Sequence, residues 1–259
     1  MDSRTDSRPP LDPDRLPAGV EILAEAASTN AVLAERARAG ALEGTVVVAE
    51  HQTAGRGRLD RTWETPARSA LTFSVLLRPN LAAAAWPWIP LLTGYAVQAA
   101  LADRLPDIGL KWPNDVLVEE RKLGGILVER VDTPTGPAAI VGIGINISQT
   151  LDELPVALAT SLALELPQAP DRTEVLAQLL GSIDGLLPLL EDTTALRAAY
   201  ADACTTLGRE VRVDLPAGEV LTGTAVDIDA QGRLVVAGPA GEVAVGAGDV
   251  VHVRPSSLT

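Results

Sequence analysis

Lys111-Trp112-Pro113-Asn114-Asp115, followed after six residues by Lys122-Leu123-Gly124-Gly125-Ile126-Leu127, decides how this chain is read. Val116-Leu117-Val118 and Ile126-Leu127-Val128 are short β-branched runs, and Glu119-Glu120-Arg121 between them is turn-like, so two buried strands joined by a charged turn are expected. Buried strands seldom open with ammonium groups, because an unpaired buried charge is costly. Two lysines at one mouth of a sheet therefore point to an anionic ligand. For either lysine alone, a stem lying on apolar surface with its head in water would be the better reading.

Two further stretches strengthen the ligand reading. After the apolar strand Thr45-Val46-Val47-Val48-Ala49 comes Gln52-Thr53-Ala54-Gly55-Arg56-Gly57-Arg58-Leu59-Asp60-Arg61-Thr62-Trp63. Alternating glycine and arginine cannot pack a core. Glycine lets backbone approach a ligand closely, and arginine offers planar donors to carboxylate or phosphate. A mobile surface hairpin with solvated arginines is the alternative. No Gly-Lys-Ser/Thr closes the run, so it is not a P-loop. Farther on, Val141-Gly142-Ile143-Gly144-Ile145-Asn146-Ile147 alternates glycine with β-branched residues, as a strand does when its backbone touches something bulky. It lacks the third glycine of a dinucleotide fingerprint. Asn146 must find partners if buried, either a ligand base or the protein itself.

In this order, and with Ser28-Thr29-Asn30 after the first strand, these pieces closely resemble the biotin protein ligases. The resemblance covers most of residues 20–150. Two departures stand out: Asp60 where the family's loop commonly has glycine, and Pro66-Ala67-Arg68-Ser69 without the glycine usual after its proline. The resemblance implies an α+β fold, a mixed sheet packed by helices like that of class II aminoacyl-tRNA synthetases, with a small C-terminal SH3-like barrel. It implies joining of biotin's carboxylate to the α-phosphate of ATP, then acyl transfer to a lysine of a biotin carboxyl carrier protein domain of an acyl-CoA carboxylase. Magnesium would accompany ATP. By the same resemblance Ser28, Thr29, Asn30 and Gln52 should bind the ureido ring. Gly55, Arg56, Gly57 and Arg58 should follow the valerate chain, with Gly125, Leu127, Gly142 and Gly144 as further biotin contacts. Lys122 should meet the carboxylate and then the phosphate ester, with Lys111 on the ATP phosphates. Arg58, Arg61, Trp63, Asn114 and Asn146 complete the ATP set, Trp63 stacking on adenine. Arg58, Lys111, Asp115 and Lys122 are the expected catalytic residues, Asp115 either orienting the acceptor amine or holding magnesium. Trp112 and Pro113 read as packing residues.

The physical logic of such chemistry fits these residue types. Bringing two anions together requires cations where charge accumulates. A mixed anhydride must be kept from water, which suits a closing glycine-rich loop.

Composition bounds the remainder. Aromatics are only 3% of the chain, so alanine, valine and leucine must fill the core. No run of about 18 uninterrupted apolar residues argues for a membrane span, and residues 1–19 have no apolar signal-peptide core. That proline-rich stretch reads as a disordered tail whose removal should leave activity intact. One cysteine, Cys204, fits a reducing cytoplasm, and His51 and His252 are too isolated to suggest a zinc site. Many relatives carry an N-terminal DNA-binding domain. About 19 residues before the first strand are too few for one, and a net charge of −13 with a pI near 4.6 is wrong for duplex binding, so no DNA partner is expected. A homodimer is left open.

The expected organisation is a tail at 1–19, a catalytic domain at 20–207 and the barrel at 208–259. Ser28 or Thr29 should cap a helix over residues 30–38. Helices are also predicted within residues 86–105, 171–190 (ended or kinked by Pro188) and 194–207. Five short strands are predicted near 210–213, 220–228, 234–237, 243–245 and 250–253. A lipoate or octanoate ligase on the same fold is the nearest rival, though its arginine-rich loop and histidine-aspartate pair are not found. A non-catalytic biotin sensor is the other, against which the retained Lys111, Asp115 and Lys122 argue.

Overall fold

In the computed structural model, which describes residues 8–215 and 218–253, a wholly buried strand organises the larger sheet. This is β3 (Ala70–Leu77). Around it lie β1 (Val20–Leu23), β2 (Val46–Ala49), β4 (Ile108–Lys111), β5 (Asp115–Val118), β6 (Arg121–Thr133) and β7 (Gly136–Asn146), in the order β1-β2-β3-β7-β6-β5-β4. β1 and β2 run parallel and every other pair antiparallel, so the sheet is mixed, as expected.

Side chains of a strand alternate between faces, and here the faces do different work. Leu71, Phe73, Val75, Val141, Ile143 and Ile145 belong to the main core, with α2 (Trp88–Leu101), α4 (Arg172–Leu186) and α5 (Thr193–Ala203). The opposite face carries α1 (Thr29–Arg38), whose Leu33 and Ala37 pack on Val47, Leu76, Val131, Ala138 and Ile140. Ser28 stands at the N-cap position of α1 without a capping side-chain bond. Gln52 substitutes for it, its Oε1 accepting from Thr29 N at 2.8 Å and Thr29 Oγ1 at 3.1 Å.

Between β7 and α4 lies the short α3 (Leu162–Glu165). α4 passes into a 3-10 turn at Leu187–Glu191, where Pro188 cannot supply an N–H to continue the α-helix. Residues Arg172–Glu191 are long and apolar enough to cross a bilayer by length and composition. Their Val175, Leu176, Leu179 and Ile183 are instead buried in the main core.

The second sheet contains β8 (Glu210–Asp214), β9 (Val220–Ile228), β10 (Leu234–Gly238), β11 (Gly241–Val245) and β12 (Asp249–His252), all antiparallel in the order β11-β10-β9-β8-β12. These are the five expected strands of the SH3-like unit. Trp112, just past β4, and Trp88 of α2 tie it to the larger unit, their Nε1 atoms donating to Gly232 O at 3.0 Å and Ala230 O at 3.1 Å. Val211, Val213, Ile228 and Leu234 join the same core as the helices.

The expectation of a disordered tail fails for residues 8–19; residues 1–7 lie outside the described set. Leu11 is 4% exposed, and its N–H donates to Glu50 Oε1 at 2.6 Å. Arg172 donates to Pro9 O at 3.0 Å. A 3-10 turn follows at Pro13–Arg15. Composition missed this because one leucine and partners 39 to 163 residues away hold the segment, rather than a periodic face of its own.

Candidate active site

A cavity of about 780 Å³ opens on the α1 face of the larger sheet. Two cross-strand rows lie beneath it, all of their residues lining it except the buried Ser74. Thr72, Gly144 and Gly125 are register partners in one row, and Ser74, Gly142 and Leu127 in the next. Glycine is required at both central positions. A Cβ on Gly142 would fall 2.4 Å from Asn30 Oδ1, and one on Gly144 would fall 2.6 Å from the Trp63 ring.

At the Gly142 end, Ser28, Thr29, Asn30 and Gln52 line the cavity as the sequence suggested. Asn30 is buried, its Nδ2 donating to Glu129 Oε2 at 2.6 Å and Leu127 O at 3.3 Å. Ser74 Oγ lies 2.7 Å from Asn30 Oδ1 and 2.8 Å from Thr29 Oγ1. This end therefore offers fixed amide and hydroxyl groups suited to a small polar ring.

The glycine-arginine run is a small hairpin. Gly57 N donates to Arg61 O at 2.7 Å and Trp63 N to Gly55 O at 2.9 Å. At its tip Leu59 and Asp60 have φ of 55° and 56°; Arg68, in the turn before β3, has 59°. Asp60, the loop's departure from the family pattern, thus occupies a left-handed conformation natural to glycine and tolerated by aspartate. Arg56, Arg58 and Arg61 all line the cavity, each already tied to a partner. Arg56 pairs with Glu129 at 3.0 Å, Arg58 Nη1 donates to Asn114 Oδ1 at 3.0 Å, and Arg61 pairs with Asp249 of the second sheet. Burial lowers the Arg58 pKa against the pull of Asp115. Its cation is thus held partly stripped of water, where an anion would stabilise it.

Lys122 Nζ meets Asp115 Oδ1 at 2.6 Å on the wall beside Gly125. The same ammonium lies 5.9 Å from the centre of the Trp63 ring, which rests over Gly144. Trp63 Nε1 is buried and has no hydrogen-bond partner among the described residues.

Three expected residues stand differently from the rest of the set. Gly55 does not line the cavity; it is needed because its Cβ would sit 2.3 Å from Trp63 O, a requirement of the hairpin itself. Lys111 is not among the lining residues, but it ends β4 as the register partner of Asp115 and feels the charges of Asp115, Asp249, Lys122 and Arg61 on the wall. It is half-buried, with a pKa lowered by burial and raised again by Asp115. Asn146 reaches the wall, but its amide is satisfied by the protein: Nδ2 donates to Thr160 O at 2.9 Å, and Oδ1 accepts from Gln149 at 3.0 Å.

Sequence reading missed Thr72, Ser74, Glu129, Asp249 and the segment bearing Pro155, Val156 and Ala159. The polar pair at i and i+2 in an otherwise apolar β3 was the available signal for Thr72 and Ser74. Asp249 and residues 155–159 gave none.

Among the described residues no group of three or more metal-type side chains occurs. Asp115 is a single carboxylate, which suits a magnesium ion held mainly by nucleotide phosphates rather than a protein cage.

Residues 24–146 match the Biotin/lipoate A/B protein ligase family, and residues 206–253 match the Biotin protein ligase C terminal domain. The chain is 39% identical to the biotin–[acetyl-CoA-carboxylase] ligase of Mycobacterium tuberculosis, over 98% of this chain and 100% of that protein. It is 33% identical to the like-named protein of Paracoccus denitrificans, over 88% of this chain and 98% of that one. The solved structure of a biotin protein ligase from Aquifex aeolicus, in complex with biotin and ATP, matches with a TM-score of 0.77 at 30% identity, covering 92% of this chain and 100% of that one. With both sheets, the glycine floor and the cationic hairpin in place, this chain belongs to the biotin protein ligases.

Proposed function

We propose that this chain activates biotin with ATP and passes the biotinyl group to a lysine of a biotin carboxyl carrier protein domain. The observation that carries this reading is the Lys122–Asp115 pair, 2.6 Å apart at the wall of a glycine-floored cavity that Arg56, Arg58 and Arg61 also line. A biotin carboxylate oxygen attacks the α-phosphorus of ATP, and the bond to pyrophosphate breaks. Lys122 and Arg58 offset the charge that gathers where the two anions meet. Asp115 keeps Lys122 aimed until then. In the second step a neutral lysine amine attacks the acyl carbon, AMP leaves, and the amine's proton passes to Asp115 or to the departing phosphate. Magnesium, bound through ATP with Asp115 as protein ligand, would supply further phosphate neutralisation.

Ser28, Thr29, Asn30 and Gln52 would recognise the ureido ring, and Trp63 and Arg61 the nucleotide. The same reading places the enzyme in the cytoplasm, consistent with a single, free and buried cysteine. It gives the enzyme no duplex DNA partner, as a charge of −13 suggests. The deciding experiment is ATP–pyrophosphate exchange. Exchange that requires biotin and is not supported by lipoate is expected; exchange with lipoate instead, or none with biotin, overturns the reading.

A further inference from the structure

We propose that residues 8–11 form a strap that positions the wall segment between β7 and α3, with Arg8 as its positioning residue. That segment, residues 147–161, reaches the cavity through Pro155, Val156 and Ala159. It is fixed at both ends. At its start, Ile147 N and Ser148 N donate to Ser69 O. At its end, Lys122 N donates to Leu158 O at 2.7 Å and Thr160 N to Lys122 O at 2.9 Å. Its middle is a turn organised by Glu153, whose carboxylate accepts from Thr150 N at 3.0 Å.

Arg8 grips this turn from outside. Its Nη2 donates to Glu153 Oε2 at 2.6 Å and to Ser148 O at 3.1 Å, and the two paired side chains are only 12% and 10% exposed. A pair so shielded couples its ends far more firmly than a surface ion pair does. The strap is itself anchored on rigid structure. Leu11 is buried, Leu11 N donates to Glu50, and Arg172 donates both to Pro9 O and to Glu50 at 2.5 Å. Glu50 immediately follows β2 and stands two residues before Gln52. One short segment thus ties the β2 end, which carries Gln52, to the wall on the far side of the floor.

Position along β7 identifies what the strap controls. Gly142 faces Asn30, Gly144 faces Trp63, and the wall segment begins just beyond Asn146 and ends beside Lys122. On the proposed function, on which this kinetic consequence rests, that is the nucleotide end. The bonds holding Lys122 lie at residues 158 and 160, past the turn that Arg8 grips. Loss of Arg8 should therefore loosen nucleotide binding while leaving the chemical step intact.

The test compares the full-length chain with Arg8→Ala, Arg8→Lys and the charge swap Arg8→Glu with Glu153→Arg. Amide hydrogen exchange across residues 148–157 is read without substrates, so this arm stands whether or not biotin is the substrate. Exchange about tenfold faster in Arg8→Ala, with an intermediate value for Arg8→Lys and partial recovery in the swap, is expected from loss of a charge-assisted hydrogen bond. In turnover, KM for ATP should rise about tenfold with kcat within about twofold. Unchanged exchange in a folded Arg8→Ala or Arg8→Lys chain overturns the strap. Faster exchange with an unchanged KM for ATP, or with kcat reduced in its place, overturns its role at the site. If the wild-type chain does not turn over biotin and ATP, the proposed function fails and the exchange result still decides the strap.

Discussion

At Gly142 the missing side chain is a steric requirement, because the space a Cβ would take is 2.4 Å from the Asn30 amide oxygen. That amide cannot swing aside freely, being held by Ser74, Glu129 and Leu127. Gly142→Ala should break at least one of these buried bonds, at about 1–3 kcal/mol for the group left unpaired, and weaken biotin binding by roughly 10–100-fold. Calorimetric titration checks this; affinity within twofold of wild type would separate Asn30 from the biotin site. Lys122 answers a different demand, since it faces charge rather than shape. Lys122→Ala should slow biotinyl-adenylate formation by ~10²–10³, the usual loss for one well-placed electrostatic donor. Near-normal single-turnover adenylation by a folded variant would contradict its role. Lys111 carries the same charge behind the wall, at the end of β4, as the register partner of Asp115.

The hairpin of residues 55–63 spans the cavity and touches the second sheet at one ion pair, Arg61 with Asp249. Both groups are substantially exposed, so the pair adds at most about 1 kcal/mol to stability. Its value lies in aiming Arg61. Asp249→Ala should leave the unfolding midpoint nearly unchanged and raise KM for ATP about fivefold, with KM for biotin unaffected, since Asn30 and Gln52 are held by Thr29, Ser74, Leu127 and Glu129 instead. A parallel rise in both constants would mean the hairpin moves as one body. This contact also marks where sequence reading runs out. Arg58, Lys122 and Asn30 were legible because their chemistry sits in short local strings with few structural uses. The two glycines of β7 were legible because their alternation with isoleucine demands a bulky neighbour. Asp249 was not, because an aspartate at a strand start is ordinary until folding brings it to Arg61, 188 residues away. The strap at Arg8–Leu11 was misread for the same reason, its order deriving from Glu50, Glu153 and Arg172 rather than from its own composition. The helices and strands given a range were recovered with shifted ends, since periodicity reports a buried face and caps decide where it stops, while β3, β4 and α3 were given none.

Across the whole molecule the two sheets share one core, and their junction holds a titratable group that follows its state. His252 of β12 is 7% exposed in its side chain, with Nε2 3.1 Å from Thr206 Oγ1 and Nδ1 3.6 Å from Glu120. Thr206 Oγ1 also accepts from Trp112 N at 3.1 Å, which leaves its proton for Nε2 and favours the neutral tautomer protonated at Nδ1. Burial lowers the His252 pKa below 6.5, and Lys111 and Arg209 lower it further, against the opposing pull of Glu120. The sign follows from linkage. Above 6.5 the imidazole is neutral in folded and unfolded chains alike, and the junction has its full stability. As pH falls through 6.5 the unfolded chain takes up the proton first, so folding is progressively disfavoured until the folded imidazole is protonated too. The unfolding midpoint of the wild type should therefore drop between pH 7.5 and 5.5. Glu120, Glu153 and Asp171, whose carboxyls are held below their ordinary range, do not titrate in that window. His252→Gln keeps an acceptor for Thr206 and a donor for Glu120 but cannot be protonated, so its midpoint should be flatter with pH. Thermal melts of both proteins across that range decide the matter. Equal slopes would show that His252 does not carry the pH dependence of the junction.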